Sequence, residues 1–162
     1  MGSQVWNTIN RVGRVKSWPF GMACTALALM VAPVQAETIA INQSNLPTLR
    51  GFTRGAVALH RIVAHRDVNN TLCVGFGAPN PDHVIQLEQG FPRLQVQVNS
   101  RGHDSTLLVR GPDGTVYCAD EGVSGGQEAG LVLTNLKPGA YEVWVGSFES
   151  GGNFRYSLSL SN

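Results

Sequence analysis

The sequence predicts an all-β fold, an antiparallel β-sandwich of jelly-roll or Greek-key type with about eight strands, preceded by a signal peptide. Three observations predict it. Residues 93–100 alternate Leu94, Val96 and Val98 against Gln95, Gln97 and Asn99, the period-two pattern of a strand with one buried and one wet face. Residues 154–161 repeat that pattern, Phe154, Tyr156, Leu158 and Leu160 alternating with Arg155, Ser157, Ser159 and Ser161. Turn signals at Asn80-Pro81-Asp82, Pro112-Asp113-Gly114 and Lys137-Pro138-Gly139 punctuate such runs, and nothing beyond the leader holds a sustained helical period.

Taken in order, residues 1–36 read as a secretory signal. Arg11, Arg14 and Lys16, with no acid among them, precede the small apolar run 21–32, and Pro33 followed by Val34-Gln35-Ala36 supplies a helix break and a small-residue cleavage end. The apolar run is too short for the roughly twenty residues of a membrane span. Cys24 lacks the upstream aliphatic residue of a lipid-anchor site. Residues 37–53, punctuated by Asn42, Gln43, Asn45 and Pro47, read as an extended lead-in. From Arg54 to Asn162 the pattern is one sandwich domain, with strands at 56–63, 84–87, 93–100, 106–110, 115–118, 131–133, 141–145 and 154–161. Ser124-Gly125-Gly126 and the stretch 149–152 are loop tips.

The chain has twelve Lys and Arg against eleven Asp and Glu, and three of the basic residues fall in the leader. The exported part is therefore slightly acidic, which steers it neither to nucleic acid nor to anionic lipid. With Cys24 removed, Cys73 and Cys118 make an even pair in an oxidising compartment, where a disulfide is the default. It would contribute roughly 4 kcal/mol on the chain-entropy account.

Several ordered motifs carry a family resemblance. DSTLLV at 104–109, GPDG at 111–114, YCADE at 117–121, PGAY at 138–141 and VWVGSF at 143–148 resemble the bacterial pre-peptidase C-terminal domain. Cys73 to Phe76 and Pro81-Asp82-His83 are similar to upstream segments of its secreted stand-alone branch, and the likeness spans 72–160. It implies a jelly-roll sandwich that serves as an accessory module of secreted proteases, often binds calcium and sometimes binds collagen or other polymers. No catalytic domain accompanies it here, and kinship of fold does not transfer activity.

Calcium is the metal the residues suit, because it takes six to eight hard oxygens and tolerates irregular loops. Counting back from the Pro112-Asp113-Gly114 turn places Asp104 at the same end as Asp120 and Glu121, while Asp113 sits at the opposite end. The bland alternative is solvated loop acids, with Asp104 capping a turn. His60, His65, His83 and His103 form no zinc spacing. Tyr141, Val143 and Val145 share the core face, and Trp144 with Phe148 share the other; there Trp144 either packs in a second layer or joins Phe148 in an aromatic platform for a sugar or peptide partner.

Gly122-Val123-Ser124-Gly125-Gly126 differs at one position from the nucleophile motif of trypsin-like proteases. The acid before the serine is missing, and the chain is too short for the two barrels that motif requires. The expectation is a secreted or periplasmic non-catalytic module, with calcium as its candidate stabilising ion, that recognises a protein or polymer partner. The alternative is a small secreted hydrolase using Asp82, His83, Asp104 or Ser124, for which no nucleophile, base and orienting group stand at a recognised spacing.

Overall fold

The two alternating runs become neighbours in one sheet. The computed structural model describes residues 36–162, so the expected signal peptide lies outside the described residues. In chain order the strands are β1 (Glu37–Ile41), β2 (Leu49–Phe52), β3 (Val57–Ala58), β4 (Phe76–Gly77), β5 (His83–Leu87), β6 (Phe91–Asn99), β7 (Ser105–Arg110), β8 (Val116–Ala119), β9 (Gly130–Leu136), β10 (Gly139–Ser147) and β11 (Arg155–Ser161), with one helical turn, α1 (Leu59–Ile62), after β3.

Two sheets face each other. The four-stranded sheet runs β2-β11-β6-β9, all antiparallel. The seven-stranded sheet is built on β10, flanked by β5 along one edge and by β7 along the other, with β8 outside β7, β1 outside β5, and β4 paired with the far end of β10 and carrying β3 on its other side. Period-two patterning sends Leu94, Val96 and Val98 of β6 and Tyr156, Leu158 and Leu160 of β11 into the gap, where they meet Ile85, Leu87, Leu107, Val109, Tyr141, Val143 and Val145 of the other sheet. The GPDG hairpin forms as its residues dictate. Asp113 accepts the Thr115 N–H at 3.1 Å, and Gly114 takes φ 83°, which a side chain would resist.

β7 is buried from Ser105 to Val109 because it is covered twice. Leu107 and Val109 face the sandwich core, while Leu108 faces outward into a second apolar layer of Leu59, Cys73, Val116, Cys118 and Trp144, bordered by Ile62, Val63 and Ala64.

Three expectations need correction. Residues 37–53 are not a lead-in: β1 joins the seven-stranded sheet and β2 the four-stranded one, so the sandwich begins at Glu37 rather than at Arg54. The pairing is not wholly antiparallel, since β1 lies parallel to β5. Residues 56–63 form a two-residue strand followed by α1, and His60 therefore sits on a helical turn, its ring 4.7 Å from that of His65.

Candidate functional site

Asp82 and His83 enter at the start of β5 and belong to a polar seam between the sheets. His83 pairs with Val143 and points inward, where its Nε2 lies 2.8 Å from the Tyr156 hydroxyl of the opposite sheet. Gly51 lies opposite Tyr156, and a Cβ there would come within 2.4 Å of that hydroxyl, so the absent side chain makes the room. Burial holds the His83 imidazole below its ordinary pKa, with the Glu37 charge opposing, and the ring is stable as the neutral form.

Asp82 accepts the Val145 N–H at 2.9 Å. Burial pushes its carboxyl up to about 6, although the Val145 hydrogen bond and the Arg54 charge both pull it down. Because the folded pKa lies above the ordinary 3.8, the folded chain holds that proton more tightly, and the contribution is lost as pH rises through this window. Asp82→Asn is accordingly expected to stabilise the protein at about pH 8 by up to roughly 3 kcal/mol and to change little at about pH 4. Thermal melts at both pH values check this; an equal effect at both would assign the change to hydrogen bonding instead. His83 acts in the opposite sense, losing stability as pH falls and the buried ring must charge.

Three strand ends bring Asp104, Asp120 and Glu149 to one end of the seven-stranded sheet. β7 begins directly after Asp104, β8 ends directly before Asp120, and β10 ends two residues before Glu149. β8 and β10 run antiparallel to β7 on either side, so these ends meet, and the Phe148 N–H donates to the Asp104 carbonyl. The Asp104 carboxyl is raised by partial burial and then by the charges of Glu121, Asp120 and Glu149. Among the described residues, no three His, Cys, Asp or Glu side chains lie close enough together to hold a metal ion.

Cys73 and Cys118 are bonded, with Cα atoms 5.2 Å apart. Trp144, Leu108 and Cys118 stand in one cross-strand row on the outer face of the seven-stranded sheet, and α1 and the Cys73 segment cover that row. Trp144 is only 2% exposed and so presents no aromatic platform, whereas Phe148 is 48% exposed and stands alone. A residue the sequence reading passed over fixes this cover: the buried Asp67 carboxylate accepts the N–H groups of Asn69 and Thr71, each at 2.8 Å, and that of Cys118 at 3.4 Å. Its signal was the Asp-x-x-x-Thr spacing of a side chain that closes its own turn.

Ser124 is exposed in a loop held by the N–H of Gly122 on the Gly126 carbonyl and that of Gly125 on the Gly122 carbonyl. The four residues of the hydrolase reading divide across β10. Asp82 and His83 lie on the β5 side, Asp104 and Ser124 on the side of β7 and β8.

No family model matches the chain, and no curated protein matches it. Among solved structures, the pre-peptidase C-terminal domain of collagenase from Bacillus anthracis is similar over 80% of this chain and 98% of that chain, at 16% identity and a TM-score of 0.49. Among the described residues, no helix is long and apolar enough to cross a membrane.

Proposed function

We propose that this chain is an exported, non-catalytic β-sandwich module that binds a protein or polymer partner and takes calcium at its acidic end. The observation that carries the non-catalytic reading is the use already made of the polar residues: His83 ties the two sheets together through Tyr156, and Asp82 holds the Val145 N–H. A general base must reach a reacting group, and neither side chain is free to do so. Export is supported by the buried disulfide, which persists only in an oxidising compartment. The test is hydrolysis of casein and small esters by the leaderless chain and its Ser124→Ala variant. Neither should show turnover; turnover that disappears with Ser124→Ala would establish the hydrolase instead.

Support for calcium comes from charge and donor type. Asp104, Asp120 and Glu121, with Glu149 beside them, are hard oxygen donors; burial first and then the neighbouring charges raise the Asp104 carboxyl, and a divalent cation would relieve the repulsive part. Calcium is therefore expected to raise the melting temperature relative to a chelator, and Asp104→Asn to remove the difference. Identical melting with calcium and with chelator would leave the acids as solvated loop residues.

A further inference from the structure

The outer face of the four-stranded sheet carries a second candidate site that none of the sequence motifs marks. A groove of about 750 Å³ lies across β2, β11 and the end of β6, and three arginines line it: Arg50, Arg101 and Arg155. The register assembles it. Ser157 pairs with Arg50 on one side and Asn99 on the other, and Arg155 pairs with Phe52. Tyr156 between them turns into the core, so its flanking residues and their partners share the solvent face.

The arginines lack partners for their charge. The ion pair found among the described residues, Arg110 with Glu142, is on the other sheet, and no described carboxylate lies within ion-pair reach of these three. Phe52 is exposed with the Arg155 guanidinium 5.0 Å above its ring, which holds that cation over the groove. Ser157 keeps the floor low between them.

Arg101 adds an independent observation. It sits at φ 60°, in the left-handed region that glycine or asparagine normally fills, and such strain persists only where the surroundings impose it. The imposition is visible. The Glu128 carboxylate accepts the N–H of Ser100 at 2.7 Å and of Gly102 at 2.9 Å, together with the Ser100 hydroxyl, and so pins the turn on both sides of Arg101. The turn so held brings the Arg101 side chain to a groove lined by two further arginines, and an anion is the natural partner of three guanidinium groups gathered there.

We propose that the Arg50–Arg101–Arg155 groove binds an acidic polysaccharide, its carboxylate or sulfate groups taken by the guanidinium forks. This rests on the binding-module reading above and names its partner class. A polymer fits an open groove crossing three strands better than a single small ion. Nucleic acid fits less well, because the Phe52 face is taken by Arg155 instead of being free to stack a base.

The test uses the leaderless chain with dextran sulfate, polygalacturonate, neutral dextran and single-stranded DNA, measured by titration calorimetry at low and moderate salt. Expected is salt-sensitive binding to one or both acidic polysaccharides, none to neutral dextran, and roughly tenfold or greater weakening in Arg50→Ala/Arg155→Ala. Which of the two polymers binds distinguishes sulfate from carboxylate. Arg50→Lys/Arg155→Lys should recover only part of the affinity, since lysine keeps the charge and loses the fork. Arg93→Ala, an exposed arginine of the same sheet outside the groove, is the control, and melting temperatures verify that the variants fold. Equal binding by the groove and control variants, no binding to either acidic polymer, or tighter binding to DNA overturns the proposal. If the groove fails while Ser124→Ala and casein assays remain silent, the non-catalytic reading stands and only the groove assignment falls.

Discussion

Replacing both Cys73 and Cys118 with alanine is expected to lower the stability of a chain of residues 37–162 by about 4 kcal/mol in urea denaturation, a large share of the roughly 5 to 15 kcal/mol that a domain possesses. The bond joins positions 45 apart in sequence, so its loss restores large freedom to the unfolded chain. It also loosens the native state, because Cys73 anchors the segment that covers the outer face of the seven-stranded sheet. Wild-type protein melted with a reductant should show the same loss as the double variant. A change below about 1 kcal/mol, or alkylation of both thiols without reductant, would remove the bond from the account.

Trp144→Ala is the second large effect, expected to cost about 3 to 5 kcal/mol, as for other buried aromatic truncations. The indole lies between Leu108 on its own sheet and the cover of Leu59 and Cys73, with Arg110 5.4 Å above its ring. Trp144→Phe should cost less, since it keeps most of the apolar contact. Trp6 and Trp18 precede residue 37, so in a chain of residues 37–162 tryptophan emission reports on this one residue and should be blue-shifted in the native state. A surface platform would predict red-shifted emission and a loss within about 0.5 kcal/mol. Combined with the cysteine replacements, the losses should fall short of additive, because both changes open the same apolar layer.

What was legible in the sequence follows from which forces are local. The alternation of β6 and β11, the GPDG turn and the even cysteine pair each rest on a few adjacent residues, and each forms as read. Counting from the turn also brought Asp104 to the end where Asp120 and Glu121 lie. β1 was missed because only Ile39 and Ile41 of its five residues pack on the core, too short an alternation to mark a strand. The helical turn α1 was read as strand because four residues are too few to display a 3.6-residue period. Trp144 faces outward from its strand, and only the disulfide-tethered segment, brought there by tertiary contact, decides that outward is still inside. The arginine groove was invisible for the same reason: Arg50 and Arg155 stand far apart in the chain and become neighbours through the β2–β11 register.

That register bears on when the domain can exist at all. β11 is an interior strand of its sheet, and it supplies the edge against which β2 pairs, Leu49 with Leu158 and Phe52 with Arg155. β2 therefore has no hydrogen-bonding partner in that sheet until the C-terminal strand arrives. Loop closure over such a separation is entropically costly and slow. The four-stranded sheet therefore cannot be completed from the N-terminal end alone, and β2 takes its place only once the last strand of the chain is present.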